Sequence, residues 1–247
     1  MNLCLKSLNR KRWKGVISLS EKPIIFSTEM VRAILDGRKS QTRRVIKLKY
    51  DNTHIQWRTD KYGTRLVEMQ NDVEGETFGK NDDGNTWHKL LACMEIWPRY
   101  KVGDVLWVRE NFYQRYVIRR NMDGEPERWR YPEFGYVASG GHPDTGEGYW
   151  QSRPSIHMPR AAARIFLRVT DVRAERVQSI TYGDCCAEGV FNKKELKSVF
   201  DGSIATERFA RLWNSINAKR GYGWDTNPWV WVYTFEIIKP DSFSPRT

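Results

Sequence analysis

The side chains best suited to chemistry lie close together in one short segment, residues 37–44. Four cations and two hydroxyls stand within it: Arg38, Lys39, Arg43 and Arg44, with Ser40 and Thr42. Cations at this spacing repel one another, so we expect an anion to offset them, as in a loop that faces a phosphate. A solvated basic turn whose charges pair with nearby acids is the alternative, and charge alone does not decide between the two.

Further positions have the side chains of a base-binding site. Arg109 and Glu110 end an apolar segment, where a structural ion pair and a pair that reads a base both fit. Trp224 lies in a glycine-flanked loop, where core packing and stacking on a base are equally open. Trp107 lies in an apolar strand and is therefore expected in the core.

No pattern of a metal or cofactor site accompanies these residues. The four histidines and four cysteines lack metal-ligand spacing, and no Cys-x-x-Cys pair occurs. The glycine-rich segment 140–148 lacks the Gly-Lys-Ser/Thr ending of a phosphate-binding loop, and dinucleotide and hydrolase signatures are missing. We therefore expect neither a metal nor a cofactor.

The composition favours a polyanionic partner. Among 247 residues, 41 Lys and Arg stand against 30 Asp and Glu, which gives a formal net charge of +11. A surplus of this size favours nucleic acid, either RNA or DNA, as the partner. No apolar run approaches the ~18 to 20 residues of a membrane helix, and no secretory signal is recognised. We therefore expect a cytoplasmic protein without a membrane partner.

A predicted helix directly precedes the segment 37–44 and positions it. Ser27 or Thr28 caps this helix, which runs to about Asp36, and Gly37 ends it. Capping residues and hydrophobic periodicity predict two further helices, at 181–189 and 209–216. The same periodicity predicts strands at 22–27, 42–48, 105–108, 165–170 and 229–238.

These elements predict a single α+β domain at 22–239, a small, partly closed β-barrel with flanking helices. Residues 1–21 are interpreted as a flexible basic arm, and residues 240–247 as a tail. Two stretches within the domain are interpreted as insertions. The first is 50–99, with a ribbon around Leu66–Met69, and the second is 113–152, which is rich in Gly, Pro and mixed charge and is expected to be irregular.

Five segments of the chain, taken in order, carry a resemblance to a known family. They are Gly37-x-Lys39-x-x-Thr42-x-Arg44, Val102-Gly103-Asp104-x-Leu106-x-Val108-Arg109-Glu110, Pro154–Arg160, Ala187-Glu188-Gly189 and Gly221–Trp229. With them the sequence resembles the ASCH domain of the PUA-like superfamily, in particular the larger proteins of phages and prophages. The resemblance implies a PUA-like barrel with a ligand cleft between barrel and helices. The sequence departs from the family pattern at Ala161-Ala162-Ala163, where members of the family often carry an aromatic residue and a serine.

The resemblance implies that the chain binds RNA or a modified base. The implied cleft is lined by cationic, polar, acidic and aromatic side chains: Arg38, Lys39, Thr42, Arg43, Arg44, Arg109, Glu110 and Trp224. A structural or partner-binding phage protein, with no affinity for nucleic acid, is an alternative.

The resemblance also implies an enzymatic alternative. A small bacterial member is an amidohydrolase on N4-acetylcytidine, and some ASCH proteins are ribonucleases. The amidohydrolase uses a lysine, a threonine three residues later and a distant glutamate, which correspond to Lys39, Thr42 and Glu188. A lysine can remove the threonine proton only if its pKa is lowered, which nearby arginines favour and a close carboxylate opposes. Otherwise Lys39 and Thr42 bind phosphate and cap the turn.

Overall fold

The computed structural model describes residues 20–50, 53–60, 63–70, 94–142, 148–192, 195 and 202–239. Its strands are β1 (Glu21–Ile25), β2 (Gln41–Val45), β3 (Thr53–Asp60), β4 (Gly63–Gln70), β5 (Met94–Glu95), β6 (Val105–Arg109), β7 (Phe112–Arg120), β8 (Pro126–Tyr136), β9 (Tyr149–Arg153), β10 (Phe166–Arg176) and β11 (Trp229–Ile238). Its α-helices are α1 (Thr28–Leu35), α2 (Tyr182–Ala187) and α3 (Gly202–Asn217). Most of the predicted basic arm and the predicted tail 240–247 lie outside the described residues.

The largest sheet has five strands in the order β1-β6-β10-β11-β2. β1 and β6 are parallel, and the remaining neighbours are antiparallel. Its apolar core lies against α1 and includes Ile24, Phe26, Val31, Ile34, Leu106, Val108, Leu167, Val169, Tyr233 and Phe235. The predicted α+β class is thereby confirmed. Within the described residues the edge strands β1 and β2 share no ladder, so the sheet is not a closed barrel.

Arg44 connects the two edges of this sheet through its side chain. Its guanidinium donates a hydrogen bond to the carbonyl oxygen of Ile25 at 2.8 Å and lies 5.3 Å from the ring centre of Phe26. Because α1 links β1 to β2 along the chain, this hydrogen bond holds the end of β1 close to β2.

The first helix agrees with the prediction. The Ser27 hydroxyl accepts a hydrogen bond from the backbone N–H of Met30, and Val31 and Ile34 are buried in the core. Gly37 follows with φ +72°, a left-handed conformation that glycine adopts without strain, so the helix ends there. The cationic segment 37–44 therefore forms the turn after α1 and most of β2.

The second helix also follows its predicted capping residues. Thr181 and Asp184 form a capping box, in which each side chain accepts a hydrogen bond from the backbone N–H of the other residue. Gly189, just beyond the helix, has φ +77°, and a Cβ there would lie 2.9 Å from the Cβ of Ala33 and 3.1 Å from that of Lys39. Only glycine permits this approach, which brings the end of α2 beside the turn between α1 and β2.

The third helix is amphipathic, as its periodicity predicts. Its buried side packs on β11 through Phe209, Trp213, Val230 and Val232. Leu212 is half-buried and Ile216 is exposed, so this side of α3 stays open. It forms one wall of the cavity described below.

The stretch 50–99, interpreted above as an insertion, contains the predicted ribbon around Leu66–Met69. β3 and β4 pair antiparallel along their whole length, and β5 adds a short third strand. Ile55 and Leu66 of the ribbon form a small core with Ile46. Trp229 packs against this core, and its ring N–H donates a hydrogen bond to the carbonyl oxygen of Ile55 at 3.1 Å. Residues 71–93 of this stretch lie outside the described residues.

The stretch 113–152 contains most of a regular sheet, so the prediction that it is irregular is wrong. Strands β7, β8 and β9 pair antiparallel in the order β8-β7-β9, with a bulge between Gln114 and Tyr116. At its base Phe112 packs with Met158 and Ala162, whereas the far ends of β7 and β8 are exposed. Because both faces of those ends meet solvent, they lack the alternation of apolar and polar residues by which strands are predicted.

Candidate functional site

A cavity of about 340 Å³ lies between β2 and α3. Of the described residues that line it, five are cations, Arg43, Arg44, Lys47, Arg99 and Arg220, and one is an acid, Glu188. The rest of its wall is uncharged: Met30, Thr42, Val45, Phe209, Leu212, Trp213, Ile216, Asn217 and Tyr222. An adjoining cavity of about 460 Å³ between α1 and α3 shares Met30, Glu188, Leu212 and Ile216 with it.

Three of the lining cations, Lys47, Arg99 and Arg220, are exposed at the rim of this cavity. None of the three forms an ion pair in the part of the chain that the structure describes. Their charge is therefore free for a ligand, and unpaired cations around a concave site attract anions.

Lys39 does not line this cavity but is buried in an ion pair with Glu188. Its Nζ donates hydrogen bonds to Glu188 Oε2 at 2.6 Å and to the Glu188 backbone carbonyl oxygen at 2.9 Å. The Lys39 side chain is 0% exposed, and that of Glu188 is 4% exposed. A backbone bridge between the two residues sets this geometry, so the structure brings two members of the predicted triad together.

Glu188 also binds Arg43, which extends the buried ion pair into a larger cluster whose outer members are partly exposed. Arg43 Nη1 donates to Glu188 Oε1 at 3.1 Å. Its Nη2 lies 2.7 Å from Glu175 Oε1 and 3.3 Å from Asp184 Oδ2, and Arg173 pairs with both of these acids. The charges of these six residues offset one another, which makes the burial of Lys39, Arg43 and Glu188 tolerable. We call this cluster the ion network: Lys39, Arg43, Arg173, Glu175, Asp184 and Glu188.

Burial and neighbouring charges shift pKa values within the ion network. Burial lowers the pKa of Lys39, because it disfavours the ammonium, although the negative charge of Glu188 opposes the shift. Burial alone would raise the pKa of Asp184. The charge of Arg43 and the hydrogen bonds from Thr181 outweigh burial, so the pKa of this carboxyl lies below its ordinary value.

Thr42 lies on β2 and lines the same cavity as Glu188. Its hydroxyl forms no hydrogen bond with a described residue, and the two hydrogen bonds from Lys39 Nζ both go to Glu188. The predicted triad is therefore assembled in part. Thr42 and Glu188 share a cavity wall, whereas Lys39 is bonded to Glu188 instead of to Thr42.

Arg109 and Glu110 do not line the cavity, which corrects the predicted cleft. The strand that carries Arg109, β6, is separated from β2 by β10 and β11. Arg109 donates hydrogen bonds to the carbonyl oxygens of Ile156 and Met158. Glu110 is buried and accepts two hydrogen bonds from Arg164, at 2.8 and 2.9 Å. Each residue thus holds the segment after β9 in place, and the two do not pair with each other.

Arg38 and Trp224 also have structural contacts and do not line the cavity. Arg38 donates hydrogen bonds to the carbonyl oxygens of Gly189 and Phe191, at 3.3 and 2.7 Å. Trp224 is half-buried and packs edge-on against Phe209, with ring centres 6.1 Å apart. The predicted ligand-binding role of both residues therefore has no geometric support.

Trp107 is half-exposed, although its apolar strand predicts a core position. On the same face of β6 Val105 is buried, so this face is covered at the start of the strand and becomes partly open at Trp107. The guanidinium of Arg109 lies 5.3 Å from the ring centre of Trp107 and covers one side of it. The pair forms part of the surface away from the cavity.

The exposed cations at the rim were missed in the sequence. Arg220 and Tyr222 flank Gly221, the first residue of one of the five resembling segments. The resemblance could therefore have identified them as candidate site residues. Lys47 follows Arg43 and Val45 at every second position, so the strand pattern of β2 predicts that it lies on the same face as these two residues. No comparable signal marks Arg99, because only the fold brings it to this cavity.

Comparison with known proteins assigns no role to these residues, since no family model, curated protein or solved structure matches the chain. Among the described helices, none is long and apolar enough to span a membrane. The described residues also include no group of three or more His, Cys, Asp and Glu side chains placed to hold a metal ion.

Proposed function

We propose that this chain binds nucleic acid, either RNA or DNA with a modified base, and that one nucleotide enters the cavity between β2 and α3. The observation that carries the proposal is the charge of the lining, in which Arg44, Lys47, Arg99 and Arg220 pair with no acid among the described residues. Glu188 and Arg43, which also line it, belong to the ion network and offset each other, so these four cations are the positive surplus of the wall. A cationic cavity with an apolar wall suits a ligand with an anionic end and a planar end.

The two kinds of lining suit the two parts of a nucleotide. Arg99 and Arg220 at the rim carry guanidinium groups, which bind phosphate oxygens in a bidentate manner. Phe209, Leu212 and Ile216 form an apolar wall on which a base can pack. The volume of about 340 Å³ lies within the roughly 300–1,000 Å³ typical of small-molecule sites.

A PUA-like fold of ASCH type is part of this proposal. Support comes from the segments that carry the resemblance, because Gly37–Arg44 and Ala187–Gly189 meet at the ion pair of Lys39 and Glu188. These two residues are 149 positions apart in the sequence. Segments that resemble one family and also contact each other are stronger support than segments scattered over the surface.

The proposal is tested by fluorescence anisotropy with labelled RNA and DNA strands of roughly 12 nucleotides. We expect affinity to fall between ~50 and ~200 mM salt, because phosphate contacts release counterions. Arg220→Gln and Lys219→Gln are a matched pair, since both residues are exposed in the turn Ala218–Arg220 but only Arg220 lines the cavity. Arg220→Gln should weaken binding and reduce the salt slope by about one. An affinity that does not change with salt concentration, or an equal loss of affinity in the two variants, would contradict the proposal.

A second candidate function is hydrolysis of the amide of an acylated cytidine. The observation that favours it is that Thr42 lines the cavity beside Glu188 with a hydroxyl that has no hydrogen bond to a described residue. In this reaction the Thr42 oxygen attacks the acyl carbon, a base takes its proton, and the cytidine amine leaves with a proton. Water then releases the acyl group as a carboxylic acid. Lys39 can act as the base only after it leaves Glu188.

This second function is tested with N4-acetylcytidine and two substitutions of Thr42. Thr42→Val keeps the shape of the side chain and removes the hydroxyl, whereas Thr42→Ser keeps a hydroxyl. We expect release of cytidine and acetate by the unaltered chain, loss of release in the valine variant and partial retention in the serine variant. Equal turnover by the unaltered chain and Thr42→Val would exclude Thr42 as the nucleophile.

A further inference from the structure

One face of the sheet formed by β7, β8 and β9 gathers arginines and tyrosines without an acid. Tyr116 is paired in register with Arg130 of β8 and with Tyr149 of β9, and Ile118 is paired with Arg128. Paired and alternate residues lie on the same face of a sheet. We call the exposed part of this set the arginine face: Ile118, Arg120, Arg128, Arg130 and Tyr149.

Arg128 is held in a defined orientation on the arginine face. Its guanidinium carbon lies 3.6 Å from the ring centre of Tyr116 and 5.5 Å from that of Tyr149. The same guanidinium donates a hydrogen bond to the side-chain oxygen of Gln151. The rings of Tyr116 and Tyr149 stack with 5.8 Å between their centres and 22° between their planes. Because these groups are already ordered, less side-chain freedom is lost when a ligand binds them.

The positive charge of the arginine face is not neutralised by the described residues. Arg120 donates a hydrogen bond to the carbonyl oxygen of Gly124 at 2.9 Å, and Arg128 bonds a neutral amide. No carboxylate of a described residue lies within ion-pair distance of Arg120, Arg128 or Arg130. On the opposite face of the sheet, by contrast, an arginine pairs with an acid.

Exposed apolar groups accompany this unpaired charge. Ile118 is 62% exposed and Tyr149 is 40% exposed, next to the three arginines. The opposite face carries Glu127, and its Arg115 pairs with Glu133 at 2.6 Å. The arginine face is therefore complementary to a partner that combines negative charge with flat apolar surfaces.

We propose that the arginine face is a second nucleic-acid contact and that it binds a single-stranded segment, with phosphates on the three arginines and a base stacked on Tyr149. Unpaired bases expose their faces to aromatic side chains, and such stacking tolerates any base. A duplex keeps its bases stacked on one another, and a lipid surface or an acidic peptide offers no planar base. The inference rests on the proposed function for the class of partner, but it uses residues separate from the cavity.

The test uses the full chain and compares two arginines of the same sheet. Arg130 and Arg119 are both exposed, and neither forms an ion pair with a described residue, but they lie on opposite faces. The probe is fluorescein-labelled oligo-dT of roughly 12 nucleotides, with a DNA duplex of the same length as reference. We expect Arg130→Gln to weaken single-strand binding several-fold at ~50 mM salt and to reduce the salt slope by about one, while Arg119→Gln stays close to the unaltered chain.

Substitution of Tyr149 tests the stacking contact separately from the charge. Tyr149→Ala should weaken single-strand binding roughly five- to hundredfold and leave duplex binding unchanged. Tyr149→Phe keeps the ring and should bind as the unaltered chain does. If Tyr149→Phe loses as much affinity as Tyr149→Ala, or if Arg119→Gln loses as much as Arg130→Gln, the proposed contact is wrong.

Comparison with the cavity variant separates this inference from the proposed function. Unchanged binding by Arg130→Gln and Tyr149→Ala, with a loss for Arg220→Gln, would overturn the arginine face as a contact and leave the cavity in place. The opposite pattern would support the arginine face and contradict the cavity. Binding to phosphatidylserine vesicles that exceeds binding to oligo-dT, and that Arg130→Gln removes, would identify a lipid surface as the partner and overturn the inference.

Discussion

The ion network and the arginine face both depend on arginine, yet they use its charge in opposite ways. In the ion network the side chain of Arg43 is 1% exposed and lies within 3.3 Å of three carboxylates. On the arginine face Arg130 is exposed and has no carboxylate of a described residue within ion-pair distance. The first arrangement fixes how distant segments of the chain meet, and the second leaves charge for a partner.

The difference between the two regions is not visible in the local sequence. Arg43 belongs to the dense cationic segment 37–44, which favours a phosphate-facing loop, but two of its carboxylate partners lie 132 and 145 positions away. Arg130 lies in a stretch of mixed charge. Charge density along a sequence therefore identifies cations, whereas tertiary contacts decide which of them are free to bind.

Removal of Lys39 should have the largest effect on stability, because it breaks the ion network at its most buried cation. Lys39→Met leaves Glu188 buried with Arg43 as its remaining cation, and loss of one partner of a buried ion pair costs about 3–5 kcal/mol. The free energy of unfolding in urea measures this loss. The double variant Lys39→Met with Glu188→Gln should recover part of it, and a loss no larger than that of Arg130→Gln would contradict the difference between the regions.

Asp184 should make the ion network sensitive to acid. Its pKa lies below the ordinary value of 3.8, so its stabilisation is complete above about pH 4 and is lost as the pH falls through the lower, folded-state pKa. Asp184→Asn should lower the free energy of unfolding at neutral pH by about 1.5–3 kcal/mol, the usual worth of a hydrogen bond to a charged group. Urea unfolding from pH 6 to pH 2 should show a shallower loss for the variant, and parallel curves would count against this assignment.

Gly148→Ala should damage the arginine face without a change in charge. Gly148 has φ +110°, and a Cβ there would lie 2.3 Å from the carbonyl oxygen of Tyr116. We expect a destabilisation of about 1–3 kcal/mol from backbone strain and displacement of Tyr149. Hydrogen exchange should then rise in β9 and stay unchanged around Lys39. Equal changes in both regions would show that the two are not independent.

Arg130→Gln should have the smallest effect, because its side chain has no ion pair with a described residue. Its free energy of unfolding should stay within about 0.5 kcal/mol of the unaltered chain, as for most surface substitutions. Thermal unfolding checks this, with Lys39→Met as the comparison. A larger loss would mean that Arg130 has an internal role, and its charge would not then be free for a ligand.

Both ends of α1 and the start of α2 were predicted well because capping acts over a few residues, whereas α3 begins at Gly202, before its predicted start at residue 209. Ser27 and Gly37 bound α1 as expected, and Thr181 with Asp184 begins α2. Each of these signals depends on a hydrogen bond or a backbone conformation within one turn, so the sequence contains all of the information.

The composition of the site was predicted only in part because it depends on strand order. The resemblance implies one triad that contains Lys39 and Glu188 but leaves their separation open, and the structure supplies the contact between them. Arg109 was placed in the same cleft as Thr42, but two strands separate β6 from β2. No local pattern states which segments become neighbours, so Arg99 could not be predicted, whereas Arg220 flanks one of the resembling segments and could have been included.

The position of β2 in the main sheet affects how the protein reaches its fold. Its strand neighbour in the described part of the chain is β11, and their contact between Gln41 and Thr234 spans 193 positions. A chain emerging from the ribosome therefore has an unpaired β2 until nearly all of the described residues have been synthesised. Pairing at this separation slows folding, because a long loop must close before any contact forms. Refolding kinetics, more than equilibrium stability, should report how late this strand joins.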